Sequence, residues 1–339
     1  MATGIKRLQR LQMGPEVTPG TAVAATAVWR GAGNQMSDDM VIEEIEEMVG
    51  ILDGTDRTAI VQLMAGIELS ETPLTFEHLP YLLAMGFGGP VTGVADGTTG
   101  TGKIYTTNFP TTSLPTAKPY TWEAGDNHET AEMELAVCTG ITLKGQHGQT
   151  AKMSATLIGR QVSQTTLTGG LSLVAQEDAV VNKGKVYIEA IGGTYGSTQV
   201  ASQILAFEIN LKPKWRPRFT MDGNLYYTTV DYVGHEITGK LTFAHDTAVN
   251  RAAGAKLNFM AQTPKLLRVD LIGTAVTQGD GTYTTKHAFI DLPIKYTKAG
   301  VLGEDDGLSV VDMEFKSRYN TTAANAGKAV VVNLSTALA

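Results

Sequence analysis

A glycine-rich segment is the first candidate for chemistry. Gly97–Lys103 has the Gly-x4-Gly-Lys spacing of a phosphate-binding loop, in which backbone amides and a lysine hold phosphate oxygens. The motif needs a serine or threonine after the lysine to bind magnesium, and Ile104 stands there instead. No apolar strand pattern precedes the segment and no helix pattern follows it, so its amides would not converge on a phosphate. The sequence predicts a flexible surface loop.

A cluster of carboxylates lies at Glu43, Glu44, Glu46 and Glu47. Glycoside hydrolysis uses two carboxyl groups on opposite sides of the scissile bond. No second acidic set, aromatic sugar platform or glycine-lined cleft is readable beside this cluster, so we interpret it as a solvated acidic face. A second acidic segment, Glu304–Gly307, lacks the alternating ligands and distal glutamate of a calcium loop and predicts an acidic turn.

The histidines and the single cysteine form no recognisable site. None of the six histidines belongs to a zinc pattern such as His-Glu-x-x-His. His235 and His245 are ten residues apart, with Glu236 and Asp246 next to them, which is a weak basis for a metal site. Cys138 has no motif of an activated nucleophile, and a buried strand position fits it better. The sequence predicts no catalytic residue, no metal and no cofactor, and therefore no enzyme.

The one concentrated basic patch is Lys212–Phe219, in which Trp215 and Phe219 alternate with positive charges. Such a patch can stack on nucleic acid bases and bind phosphates. It can also be a protruding loop, stiffened by prolines, whose Arg216 and Arg218 meet acids on another subunit. Because the net charge of the chain is −7, the sequence favours protein contact, with Trp215, Arg216 and Arg218 as inter-subunit candidates.

Composition favours a large β-rich protein. The 339 residues are more than one compact domain usually needs, 42% of them are apolar, and glycine is abundant. The N-terminal segment has no apolar run after its basic residues, and no stretch approaches the length of a membrane span. With one cysteine, no intrachain disulfide can form. We therefore expect a protein made in a cytoplasm and not inserted in a membrane.

The hydrophobic pattern predicts mainly short strands with two helices. The first helix is expected to begin with Thr72 as N-cap and Pro73, and to end at Gly86–Gly89; the second is expected within 247–261. Residues 87–119 are predicted as loop. The strands are expected at 59–70, 119–124, 131–137, 140–146, 151–158, 204–211, 235–243, 266–272, 286–298 and 308–318.

The two halves of the chain follow a similar order of elements. Gly66 aligns with Gly239, each followed by a helix candidate, and Met133–Val137 aligns with Asp291–Lys295. The sequence predicts a β-dominated α+β fold of two tandem sandwich or half-barrel lobes, each with one flanking helix. The predicted divisions are an arm at 1–28, a lobe at 29–162, a connection at 163–184, a lobe at 185–320 and a tail at 321–339.

Two segments resemble a known family. Glu16–Ala25 followed by Trp29 is similar to the opening of tail tube proteins of long-tailed, non-contractile bacteriophages, and Thr75–Leu83 is similar to the helix in their first lobe. The resemblance spans nearly the whole chain. It implies β-sandwich subunits joined edge to edge into rings, which stack into a hollow tube for the genome.

The resemblance also implies a location and partners. A duplicated chain would form rings of three copies with pseudo-sixfold symmetry, in a virion tail assembled in the host bacterial cytoplasm. Expected partners are other copies of the chain, tape measure and tail terminator proteins, and DNA as cargo that does not adhere to an acidic channel. Pro19 and Thr21 are further inter-subunit candidates, and Glu43, Glu44, Glu46 and Glu47 are candidates for the acidic surface or channel. A receptor- or glycan-binding β module is the alternative.

Overall fold

The computed structural model describes residues 5–31, 36–246, 249–252 and 254–338. Strands contain 52% of the residues and helices 6%, so the predicted β-dominated α+β class is confirmed. All strands belong to one hydrogen-bonded network. The strands are β1 (Arg10–Pro15), β2 (Ala27–Val28), β3 (Ser37–Glu44), β4 (Thr58–Pro73), β5 (Val94–Ala95), β6 (Lys103–Asn108), β7 (Tyr120–Gly125), β8 (Thr130–Gln146), β9 (Lys152–Gly159), β10 (Val162–Gln164), β11 (Lys185–Ala190), β12 (Ile204–Arg218), β13 (Thr229–Ala244), β14 (Lys265–Ala275), β15 (Thr285–Asp305), β16 (Leu308–Ser317) and β17 (Lys328–Asn333). The helices are α1 (Leu79–Phe87) and α2 (Ala255–Met260), with single 3₁₀ turns at Lys6–Leu8 and Val181–Lys183.

Two sets of four strands pair in the same order. The first is β3-β4-β9-β8 and the second is β12-β13-β16-β15, antiparallel throughout. The long strands β8 and β15 also extend into a second layer, where β8 pairs with β7 and β15 with β14. In that layer β7 pairs with β1, and β14 pairs with β11. The first set thus continues from β8 to β7 and β1, and the second continues in the same way from β15 to β14 and β11.

Bulges explain how one strand serves two layers. The bulge in β8 lies between Cys138 and Gly140, and the bulge in β15 lies between Tyr296 and Lys298. An extra residue bends a strand and increases its twist. Each strand consequently turns from one layer into the other at the corresponding place.

These pairings correct the alignment of the two halves by one residue. Leu157 of β9 pairs with Cys138 directly before the bulge in β8, and Phe315 of β16 pairs with Tyr296 directly before the bulge in β15. Leu157 and Phe315 are therefore counterparts. Ile67 pairs with Leu157, and Gly239 pairs with Phe315. Ile67, and not Gly66, is therefore the counterpart of Gly239. A one-residue shift would move every side chain to the other face of the sheet, and both Ile67 and Gly239 face the core.

Helix α1 begins later than the sequence pattern indicates. Thr72 and Pro73 were expected to cap it, but they pair with β9 and end β4. The backbone turns at Thr75, whose hydroxyl accepts a hydrogen bond from the His78 amide at 3.2 Å. The helix ends at Gly88, in the left-handed conformation that favours glycine, as predicted. All nine residues of α1 are buried, so the helix is a central core element.

Four other expectations need correction. Residues 87–119 contain β5 and β6 in addition to loops, and β6 pairs with β17, which lies in the segment expected as a tail. The N-terminal segment is partly core, because β1 pairs with β7 and its Met13 is fully buried. Helix α2 has only six residues; residues 247–248 and 253 of its expected range lie outside the described residues. The expected strands at 131–137 and 140–146 are one strand, β8, because a bulge bends a strand without ending it.

A buried ion cluster connects distant parts of the chain. The Lys286 ammonium lies 2.7 Å from a Glu77 oxygen and 3.2 Å from a Glu177 oxygen. Burial alone would raise the pKa of Glu177, but hydrogen bonds from Thr274 and Lys286 outweigh it and lower that pKa. Buried charges need such partners, since an unpaired one is strongly destabilising. The cluster fixes the start of α1 against β15.

The His78 ring makes stability depend on pH. It stacks on Trp29 with the centroids 4.3 Å apart, and burial, followed by the Arg30 charge, lowers its pKa from 6.5 to about 4. The folded protein thus binds fewer protons than the unfolded chain between these values. This contribution is fully present above the unfolded pKa and is lost as the pH falls through the folded pKa.

We expect the native protein to lose about 3 kcal/mol more stability than His78→Asn between pH 6.5 and pH 4, since one pKa unit corresponds to about 1.4 kcal/mol. The measurement is urea unfolding of both proteins across that range. Parallel pH profiles for the two proteins would contradict the assignment.

Candidate assembly surfaces

The two four-stranded sets join edge to edge inside the chain. Strand β12 pairs with β8 from Ala206 opposite Gln146 to Leu211 opposite Ile141. Leu211 and Ile141 are buried, so the register is fixed by their position against the core. The result is a continuous array of eight antiparallel strands that has β3 at one end and the second half of β15 at the other.

The two ends of this array are open. Within the described residues, β3 pairs only with β4, and from Lys298 onward β15 pairs only with β16. Open edges present unpaired amides and carbonyls, which readily pair with another strand. All eight residues of β3 are exposed, and Asp38 and Asp39 give it a charge that discourages unspecific pairing.

The hairpin of β3 and β4 projects from the core. Many of its apolar side chains are exposed, which is unusual for a surface unless another chain covers it. They are Met40, Val41, Ile42, Met48, Val49, Ile51, Leu52, Ile60 and Val61. The acidic cluster lies on the same hairpin: Glu43 and Glu44 are exposed on β3, Glu46 follows it, and Glu47 lies 2.6 Å from Arg57.

The basic segment is a strand and not the protruding loop that the sequence indicated. Lys212–Arg218 continues β12 and pairs with β13, because its alternating charges form the solvent face of an amphipathic strand. Trp215 is buried, and its indole N–H donates to the Gly86 carbonyl at 2.7 Å. Arg216 and Arg218 are exposed, and Arg218 forms a bidentate pair with Asp231.

Pro19 and Thr21 lie on an exposed turn that is held from both sides. The Thr21 amide donates to the Thr18 carbonyl at 3.0 Å. The Gly20 amide donates to a Glu16 carboxylate oxygen at 2.6 Å, and Arg160 donates to the Gly20 carbonyl at 2.7 Å. The turn is therefore an ordered surface of the chain.

Comparison with known proteins decides the family. Residues 7–317 match the phage tail tube protein family. The chain belongs to that family. No curated protein matches the chain. The resemblance stated from the sequence is thus confirmed over both four-stranded sets, and the family is one of structural tail subunits.

The solvent face of the eight-stranded array of this tail tube subunit carries paired charges. Carboxylates there lie beside lysines on neighbouring strands. The pairs are Lys152 with Glu71 at 3.2 Å, Lys214 with Glu236 at 3.6 Å, Lys240 with Asp312 at 3.1 Å, Lys298 with Glu314 at 3.0 Å, and Lys316 with Glu236. Such cross-strand pairs leave few lysines free to contact a polyanion.

The phosphate-loop-like segment of the tail tube subunit binds a carboxylate from elsewhere in the same chain, that of Asp280. The backbone amides of Thr98 and Thr99 each donate to Asp280 at 2.7 Å, and both hydroxyls donate to it as well. In return, Asp96 accepts the amides of Thr282 and Tyr283, each at 2.7 Å. The segment is therefore held against the β14–β15 turn and is not the flexible loop expected from the sequence.

Three further findings concern a metal site, a membrane span and the second acidic segment. Among the described residues, no group of three or more His, Cys, Asp or Glu side chains could hold a metal ion. No helix in the described ranges is long and apolar enough to cross a membrane. The acidic turn predicted at Glu304–Gly307 joins β15 to β16: Glu304 and Asp305 end β15, and Asp306 and Gly307, both at positive φ, form the turn.

We expect Asp280→Ala to release the 97–102 segment. The amides of Thr98 and Thr99 lose their acceptor, so their hydrogen exchange should accelerate while that of the β8 amides stays unchanged. Hydrogen–deuterium exchange of both proteins measures this, and Asp53→Ala, at an exposed loop position, is the control. Unchanged protection at Thr98 and Thr99 would show that their hydrogen bonds to Asp280 do not hold the segment.

Proposed function

We propose that this tail tube subunit closes into rings of three copies, which stack into a tube for passage of the genome. The observation that carries the proposal is the β8–β12 junction. It joins the last strand of one four-stranded set to the first strand of the next. The open ends of the array, β15 and β3, are the corresponding last and first strands, so a second copy can repeat the junction.

The internal junction gives the register of the proposed contact. Asp38 pairs with Ala65, and Leu211 pairs with Ile237. Ile67 of β4 is the counterpart of Gly239 of β13. Ala65 and Ile237 lie two residues before them and are therefore counterparts too. Asp38 is therefore the counterpart of Leu211.

The same reasoning applies to β8 and β15. Cys138 of β8 and Tyr296 of β15 each belong to the last pair before the bulge in their strand. Ile141 and Ala299 lie three residues after them. They are therefore counterparts. Because Leu211 lies opposite Ile141 within the chain, we expect Asp38 of one copy opposite Ala299 of the next.

Two sets per chain support the subunit number. Six sets of four strands would surround the channel when three copies close, and closure removes both open edges. In this proposal 29–162 and 185–320 are tandem lobes, 163–184 connects them, and 1–28 and 321–339 are terminal segments. The exposed Pro19–Thr21 turn is our candidate for contact between stacked rings.

The channel surface follows from the same arrangement. We assign it to the solvent face of the eight-stranded array, where most lysines are paired with carboxylates. With a net charge of −7, DNA then passes without adhering, as cargo. The location is the virion tail, with assembly in the host cytoplasm and with tape measure and tail terminator proteins as partners.

Cysteine cross-linking tests the ring. We expect Asp38→Cys combined with Ala299→Cys to give covalent dimers and trimers on oxidation of assembled protein, since opposed residues of antiparallel strands are within disulfide reach. The native Cys138 is fully buried and does not interfere. Electron microscopy of the same samples checks for rings.

The matched control is Asp39→Cys with Ala299→Cys. Successive residues of a strand point to opposite faces, so this pair should cross-link far less. Rings without the Asp38–Ala299 link would reject the register, and purified protein that forms neither rings nor tubes would reject the function.

A further inference from the structure

Inside the chain, the β12–β13 hairpin covers part of the first set of strands with its outer half, which lies beyond its pairing with β8. Trp215 of β12 and Tyr232 of β13 pack on Val137 of β8 in a cluster separate from the main core. Ala117 and Ile158 border the same cluster. Hairpin β12–β13 thus does more than pair with β8, because its outer half folds over the neighbouring set.

The corresponding place on the second set is open. Its counterpart of Val137 is Lys295, and its counterpart of Ile158 is Lys316, by the alignment through the bulges. The counterpart of Ala117 is Gln262, since these lie three residues before the starts of β7 and β14. All three counterparts line one open cleft of about 460 Å³.

The hairpin that would correspond to the covering one is β3–β4. Ile42 pairs with Ile60 directly after a bulge, and Trp215 pairs with Tyr232 directly after a bulge at the same place. The exposures differ sharply. Trp215 and Tyr232 are 5% and 8% exposed, whereas Ile42 and Ile60 are 52% and 48% exposed.

An arginine marks the same place in both sets. Arg160 follows β9, lies over the ring of Tyr226 at 5.1 Å, and donates to the Tyr227 carbonyl, so it binds the tip of the covering hairpin. Arg318 follows β16 at the corresponding position and is exposed on the wall of the open cleft.

Charge identifies what fits this cleft. Lys295 and Arg318 give its wall positive charge, whereas Lys316 on the same wall is paired with Glu236. The β3–β4 hairpin presents exposed Glu43 and Glu44 next to Ile42. Acidic and basic surfaces that meet at a contact favour association and fix its register.

We propose that the β3–β4 hairpin of one copy docks into this basic cleft of the adjacent copy in the ring, with Ile42 and Ile60 taking the places of Trp215 and Tyr232. The inference rests on the proposed ring and assigns the acidic cluster to the contact between subunits. The occupant of the cleft is a second copy of this chain.

Charge reversal on each side tests the docking. We expect Glu43→Lys with Glu44→Lys to reduce assembly at least about tenfold, because like charges then meet in the cleft. Lys295→Glu with Arg318→Glu should reduce it similarly. All four substitutions in one chain should restore rings, since the attraction returns with opposite sign. Native mass spectrometry and electron microscopy measure the assembled fraction, and circular dichroism confirms that each variant is folded.

Mixing the two reversed variants gives a second readout. Each alone should remain monomeric, and an equimolar mixture should form heterodimers. A ring of three cannot alternate two kinds of subunit, so the mixture should not form closed trimers. The control for the charge change is Glu129→Lys with Asp178→Lys, two exposed acids away from the hairpin, which should assemble like the native protein.

The outcomes separate this inference from the function. If the native protein forms rings with the Asp38–Ala299 link and the hairpin variant assembles equally well, the docking is wrong and the ring stands. The same conclusion follows if the variant with all four charge reversals does not regain assembly. If the native protein forms no rings, both proposals fail.

Discussion

The structure depends on how an antiparallel strand uses its two edges. Strand β8 is hydrogen-bonded along both, to β7, β9, β10 and β12 at different parts of its length. This is possible because the bulge after Cys138 turns the strand from one layer into the other. The strand pairing between the two halves of the array, β8 with β12, uses the free edge that this turn leaves beside Ile141.

The second half repeats the turn but leaves its edge unused. Strand β15 bends at the corresponding bulge, and its outer edge beyond Lys298 has no partner strand among the described residues. An edge of this kind is a liability for a free protein and an interface for a subunit. In the proposed ring, the charges on β3 fit an edge that is exposed until it pairs with the adjacent copy.

The sequence predicted the elements better than their relations. Alternation located most strands, and the glycines located the end of α1, because both depend on local geometry. The start of α1 was misplaced because Thr72 and Pro73 belong to β4 through pairing with Met153 and Lys152 of β9, far along the chain. The alternating charges of Lys212–Arg218 were likewise misread as a loop, although Trp215 and two prolines are compatible with a strand once β13 lies beside it.

The candidate surfaces could not be read from the sequence for a related reason. Exposure of Ile42 and burial of Trp215 are properties of pairing and packing, and only the bulges show that the two positions correspond. The register also shows why Gly66 and Gly239 align misleadingly: a shared residue type one position out of register lies on the wrong face.

The two halves differ most where they would meet different neighbours. Around Val137 the contact is aromatic and apolar, and it is covered by the same chain as soon as that chain folds. At the corresponding Lys295 the surface is charged, and in a single copy it remains open. A permanent contact can be built like a core, whereas a surface that waits for a partner must be soluble alone and selective afterwards. In the proposed docking, charge meets both requirements, since it keeps the free cleft hydrated and disfavours partners that lack the acidic hairpin.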